Sequence, residues 1–199
     1  MKLTALLPSL IAIFVLGADH LTFAVQPNKP LQPAEKTFVS PPVPSKWKVF
    51  TSPEGRFTVL MPGAPKKLAE TQKTFMGEIH FQQFVAEPPN QRVAYVVVYN
   101  DFPDSYGQEA NTEKILDDAR NLAIKATKSN LVKEHKINVN GLAGREFEYT
   151  KGNSITRCRM YLFNGRLYQV NVHTTRKQEK FLTQSIAGFL NSFKVPLKQ

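Results

Sequence analysis

The sequence predicts an α+β fold in which a sheet of hairpin-linked strands is packed on both faces, and three observations carry this. Strand-like and helix-like stretches follow one another as strands, helix, strands, helix. The stretch Val93-Ala94-Tyr95-Val96-Val97-Val98-Tyr99 is apolar at both parities, as a strand buried on both sides must be. Two segments carry apolar residues at helical spacing and so supply covering layers for that strand. The size agrees: 199 residues, 42% hydrophobic and 21% charged, make about one domain with a core that needs no staples.

The chain opens on an export signal. Lys2 gives a positive start, Leu3 to Leu16 is apolar apart from Thr4, Pro8 and Ser9, and Thr22 and Ala24 place small residues at −3 and −1 of a cleavage point between Ala24 and Val25. The apolar stretch is shorter than a membrane-spanning helix, which favours a cleaved signal (residues 1–24) over an uncleaved anchor. Residues 25–46 hold six of the fourteen prolines, Pro27, Pro30, Pro33, Pro41, Pro42 and Pro44. Proline fixes φ and removes a donor, so this stretch is expected as an extended, disordered linker. The folded domain is expected over 47–195.

Within it, Trp47 to Phe50 and Arg56 to Met61 flank the turn residues Ser52-Pro53-Glu54-Gly55 and read as a hairpin closed off by Pro62, Gly63 and Pro65. Glu78 to Val85 is the next strand, and Pro88-Pro89-Asn90 turns the chain into Arg92 to Tyr99. Ile115, Leu116, Ala119, Leu122, Ala123 and Ala126 form the stripe of a first helix, capped by Asn111 or Thr112. Strands follow at Val132 to Val139, Arg145 to Thr150, Ile155 to Phe163 and Arg166 to Thr174. Asn164-Gly165 suits a two-residue type I′ turn, which sets Phe163 opposite Arg166, Tyr161 opposite Tyr168 and Met160 opposite Gln169. Leu182, Ile186, Phe189, Leu190 and Phe193 form the stripe of a second helix, before Pro196.

The inventory of reactive groups is thin. One cysteine, Cys158, excludes an internal disulfide framework and multi-cysteine metal or cluster sites. Cys158 reads either as a small buried apolar residue or as a thiol activated by Arg157 and Arg159. His80, His135 and His173, the three histidines beyond the signal, show no metal-ligand spacing. Glu146 and Glu148 share one strand face, where paired carboxylates do acid–base work or a solvated face simply carries charge. Asp117-Asp118 are helix neighbours that form no dyad. No nucleophile elbow, phosphate loop or zinc-protease motif is present. No catalytic, cofactor-binding or metal-binding residue is therefore assigned, and no cofactor is expected.

The formal charge is +10. Lys66-Lys67, Lys125, Lys128, Lys133, Lys136, Lys151, Arg176-Lys177 and Lys180 are spread over several elements. Such a charge favours an acidic protein partner or an anionic membrane surface. Nucleic acid is not expected for an exported chain with no recognition motif.

Several strings resemble the PsbP-like superfamily of exported domains. They are Ser52-Pro53-Glu54-Gly55-Arg56-Phe57-Thr58-Val59-Leu60-Met61-Pro62, Gly141-Leu142-Ala143-Gly144-Arg145-Glu146-Phe147, Tyr161-Leu162-Phe163-Asn164-Gly165-Arg166-Leu167-Tyr168 and Phe189-Leu190-Asn191-Ser192-Phe193. The resemblance spans Trp47 to Val195 and implies an antiparallel β-sheet covered by helices on both faces, an α/β/α sandwich. It also implies a periplasmic or thylakoid-lumen location. Pro62 leads into Gly63-Ala64-Pro65-Lys66-Lys67 where photosystem II relatives carry a nearby Trp, and no docking or metal-binding histidine carries over, so the resemblance transfers fold and no site residue. Two functions follow as expectations. One is a non-catalytic accessory or binding module for an acidic protein or membrane-associated complex. The other is a small-ligand binder or enzyme using a cleft between sheet and helix, with Cys158, Glu146 or a histidine as working group.

Overall fold

The computed structural model describes residues 47–74, 77–102, 111–139 and 141–196. The export signal, the Ala24/Val25 cleavage point and the linker lie outside the described residues.

Among the described residues nine strands and two helices follow in the order β1 (Trp47–Ser52), β2 (Phe57–Pro62), β3 (Lys66–Thr74), β4 (Gly77–Ala86), β5 (Val93–Asp101), α1 (Thr112–Thr127), β6 (Asn130–Val139), β7 (Leu142–Lys151), β8 (Ser154–Phe163), β9 (Arg166–Thr175) and α2 (Arg176–Ser192). β1 and β2 form a separate two-stranded sheet, and the other seven form one sheet in the order β3-β4-β5-β9-β8-β7-β6. Every pairing in it is antiparallel. The fold is thus α+β with an antiparallel sheet.

The β8–β9 turn forms where residues tolerating φ > 0 stand. Asn164 and Gly165 both take positive φ, and the β8–β9 register is Phe163↔Arg166, Tyr161↔Tyr168 and Met160↔Gln169, as the turn chemistry requires. Of the two cap residues the sequence offers, Asn111 caps α1, its Oδ1 accepting from the Glu113 N–H at 2.8 Å. α2 needs no connecting loop: Thr175 ends β9 and caps the helix, accepting from the Gln178 N–H.

Alternation along β5 divides the core. Val93, Tyr95, Val97 and Tyr99 join a cluster with Leu182, Ile186, Phe189, Leu190 of α2 and with Phe57, Val59 and Met61 of β2. Ala94, Val96 and Val98 join a second cluster with Leu116, Ala119 and Ala123 of α1 and with Phe147, Cys158 and Met160. The first face carries more than a helix. Phe57 of the small hairpin is in contact with Phe50, Phe84, Tyr99, Tyr168 and Phe193 at ring distances of 5.6–6.4 Å. On this face the β1–β2 hairpin joins α2 in packing on the sheet, an addition to the helix covering that the resemblance implies.

Two strands depart from the sequence reading. β3 was not expected. It is exposed at nearly every position, has Leu68 as its one large apolar residue, and pairs only with β4. An edge strand that buries neither face has no alternation to detect. β7 starts at Leu142 rather than Arg145 because Gly144 lies within the strand. A Cβ there would stand 2.4 Å from the Met160 carbonyl oxygen and 2.7 Å from the Tyr161 ring, so glycine is needed for strand contact and not for a turn.

Candidate functional site

Three connections meet at one end of the sheet, marked by the paired row Asn130, Thr150, Ile155 and Thr174. α1 ends on Lys128 in a left-handed cap and runs into β6. β7 turns into β8 after Lys151. β9 becomes α2 at Thr175, and the Arg176 N–H donates to the Asn153 carbonyl at 3.0 Å, pinning the helix start to the β7–β8 turn. The topology therefore gathers Lys128, Lys151, Arg176, Lys177 and Lys180 at this end. The basic residues are spread over several elements, as the sequence reads, and these five stand at one end of the sheet, a grouping that sequence distance hides.

A cleft of about 720 Å³ opens here between α2 and the β6–β8 edge, lined by Val132, Glu148, Thr150, Ile155, Arg176, Lys177, Glu179, Lys180 and Phe181. Its inner wall is a ladder of alternating charge. Glu148, whose side chain is 9% exposed, stands 3.2 Å from Lys133 Nζ and 3.2 Å from Arg157 Nε. Arg157 Nη2 reaches Glu179 Oε1 at 2.6 Å. Two cations and two carboxylates leave this ladder neutral, so Arg176, Lys177 and Lys180 on the rim set the sign of the cleft. Phe181 is 82% exposed and Val132 53%. Sequence reading missed both. The available signal was that Phe181 falls beside, and not on, the apolar stripe of α2.

A second ladder runs parallel. His135 Nε2 lies 3.9 Å from Glu146 Oε1, and Glu146 pairs with Arg159, whose guanidinium also donates to the Leu190 carbonyl at 3.0 Å and to Asn191 Oδ1 at 2.9 Å. Arg159 thereby satisfies a carbonyl in the last turn of α2, where a cation is favoured. Glu146 and Glu148 do share a face, but it is not a solvated one: Glu148 is buried, Glu146 half-buried, and each is engaged by an arginine of β8.

The opposite face holds another ion cluster. Arg145, with 7% of its side chain exposed, donates to Asp117 Oδ1 from Nε at 3.1 Å and Nη2 at 2.8 Å, and contacts Glu113 at 2.8 Å and Glu134 at 3.4 Å. Arg120 bonds Glu134, and Lys136 stands 2.7 Å from Glu113 and holds its carboxyl below the ordinary range. Asp118 turns away to pair with Lys114. Asp117 thus faces Arg145 and Arg120 while Asp118 faces Lys114, so the two carboxylates share no partner.

Cys158 is 1% exposed, and burial pushes its thiol well above the usual value, with the Glu146 charge adding to the effect. Arg157 and Arg159 do not activate it. Strand alternation sends their side chains to the α2 face while Cys158 faces α1, so the activated-thiol reading is corrected by parity alone. The histidines are not brought together. His80 Nδ1 lies 2.7 Å from Thr71 Oγ1 at the surface, His135 sits on β6, and His173 Nδ1 lies 2.9 Å from Thr156 Oγ1, where burial lowers its pKa to about 4. Among the described residues no cluster of His, Cys, Asp or Glu has the makings of a metal site, and no helix is long and apolar enough to cross a membrane.

No family model matches the sequence, and no curated protein matches it. Solved structures do. Cyanobacterial PsbP (CyanoP) from Synechocystis sp. PCC 6803 aligns with a TM-score of 0.55 at 10% identity, over 82% of this chain and 98% of that one. A Pseudomonas aeruginosa protein of unknown function, PA94, aligns with a TM-score of 0.47 at 15% identity, over 77% of this chain and 99% of that one. The seven-stranded antiparallel sheet, its two helices and the likeness to CyanoP agree with the motif strings of the sequence: this chain has a PsbP-like fold.

Proposed function

We propose that this chain is an exported, non-catalytic accessory module that docks an acidic protein of a membrane-associated complex through the basic end of its sheet. The observation that carries the reading is the set Arg176, Lys177 and Lys180 lining a cleft whose own carboxylates, Glu148 and Glu179, are already paired. Charge complementarity at such a surface raises association rate and selects partners by sign. The architecture supports it. Apolar residues of α1 pack on one side of β5 and those of α2 and the β1–β2 hairpin on the other, so a partner is placed at an end of the sheet and not on either face. The likeness to cyanobacterial PsbP makes a photosynthetic membrane complex the first partner to try.

The test is sedimentation of the full chain with envelope or thylakoid membranes at low and high salt, before and after protease stripping of the membranes. Co-sedimentation that salt and stripping both abolish supports an acidic protein partner. Retention on stripped membranes points to lipid, and no retention at low salt counts against docking altogether.

A second reading, a small-ligand site, is favoured by the same cleft, whose volume falls in the range of small-molecule pockets. Cys158 cannot be its working group from within the core. Glu146 and Glu148 enter that reading only as ion-paired carboxylates.

A further inference from the structure

We infer that the cleft recognises more than charge: it takes an acidic peptide segment that carries a large apolar side chain, and Phe181 is the wall against which that side chain packs. This rests on the docking reading above and names the chemistry of what docks. Phe181 lies off the stripe that buries Leu182, Ile186, Phe189 and Leu190, and at 82% exposed it adds nothing to the core. A solvent-facing phenylalanine matters when it marks a contact site, and here it does not stand alone. Val132 faces the same cleft from β6, and Ile155, only 5% exposed, forms an apolar floor between them.

The occupant's charge follows from the rim. Lys177 and Lys180 flank Phe181 on its own turn, above the neutral Lys133–Glu148–Arg157–Glu179 ladder, so the polar part of the occupant is anionic. A free phosphate would satisfy the cations and leave Phe181 and Val132 in water. A bilayer is the poorer match, because these apolar groups line a concavity of about 720 Å³ and do not form a convex wedge. A peptide that alternates carboxylates with a leucine or an aromatic residue satisfies both, in the manner of an interface with an apolar anchor and a polar rim.

The experiment is calorimetric titration of the full chain with two short peptides of equal length, one of glutamate only and one with a central Leu-Trp pair between glutamates. The Leu-Trp peptide is expected to bind about tenfold more tightly. Phe181→Ser is expected to remove that advantage, so that the two peptides bind it alike. Val132→Ser, on the opposite wall, is expected to reduce the same advantage. Thermal melts of both variants check folding. Equal affinities of the two peptides for the wild type, or an unchanged advantage in Phe181→Ser, overturn the inference while the docking reading survives. If wild type binds neither peptide, or if Lys177→Glu/Lys180→Glu leaves both affinities intact, the docking reading falls with it. Sedimentation with phosphatidylglycerol vesicles that Phe181→Ser abolishes, in place of a peptide effect, assigns the phenylalanine to lipid and also overturns the inference.

Discussion

Two phenylalanines on α2 offer the same deletion in opposite surroundings. Phe189 is fully buried, with its ring centroid 5.2 Å from that of Tyr95 in an edge-on contact. Phe181 is 82% exposed. Truncating Phe189 to Ala removes a ring whose burial contributes up to about 3 kcal/mol. It also leaves a void beside Tyr95 in a cluster whose other members are held in place by the sheet and by the rest of the helix. With the cavity included the expected cost is about 3–5 kcal/mol. For a domain of this size each kcal/mol lowers the melting temperature by about 2–4 °C, so Phe189→Ala is expected to melt roughly 6–20 °C below wild type. Phe181→Ala is expected to melt within about 2 °C of it, since surface changes away from special features cost little. The same assay separates the two faces of the sheet. Val97 is 0% exposed in the α2 cluster and Val96 is 3% exposed in the α1 cluster, and an aspartate at either place strands a charge without a partner. Both Val96→Asp and Val97→Asp are expected to unfold or to melt far below wild type. If either melts within a few degrees, that face of β5 is open to water, and the two-sided core described here is wrong.

Three further outcomes are expected. His173 has a folded-state pKa of about 4 against an ordinary 6.5, so the unfolded chain takes the proton first as pH falls. The stability is full above about pH 6.5 and is lost on the way down to about pH 4, with roughly 2 kcal/mol gone by pH 5. Urea melts of wild type and His173→Asn at neutral pH and at pH 5 check this, and an unchanged loss in the variant contradicts it. Arg145→Met removes the cation shared by Asp117, Glu113 and Glu134. Because Glu113 and Asp117 are each about 40% exposed and water compensates them, the expected cost is about 2–3 kcal/mol, below that of a fully buried pair. Cys158 is expected to resist a thiol reagent in the native protein near neutral pH and to react on unfolding, and rapid native labelling would contradict its burial.

Much of the fold was legible because its signals are local. Asn164-Gly165 dictates a register, the two-parity apolar run dictates a strand buried on both sides, and the stripes of α1 and α2 mark their inner faces. What escaped is what locality cannot encode. β3 buries no face, so its presence depends on β4 offering a free edge. Gly144 looks like a turn residue until Met160 and Tyr161 of the neighbouring strand are seen against it. The candidate site was the least legible part. Lys128, Lys151 and Lys177 stand far apart in the chain, and their convergence comes from antiparallel pairing and from a β9–α2 junction without a loop. Likewise, the ladder that neutralises Glu148 draws on β6, β7, β8 and α2 at once. Parity, by contrast, was readable and decisive for Cys158: its arginine neighbours in sequence are on the far side of the sheet.

The claim that a local basic site, and not the overall charge of +10, binds the acidic partner has one direct test. The affinity of the full chain for polyglutamate is measured against salt concentration for wild type, for Lys177→Glu/Lys180→Glu at the cleft, and for Lys48→Glu/Lys66→Glu on exposed positions of β1 and β3. The two double variants carry the same net charge. The cleft variant is expected to lose binding and most of the salt dependence, while the β1/β3 variant keeps wild-type behaviour at moderate salt, where separated surface charges are screened. Equal losses in the two variants would show that net charge alone attracts the peptide, and would contradict a docking site at this end of the sheet.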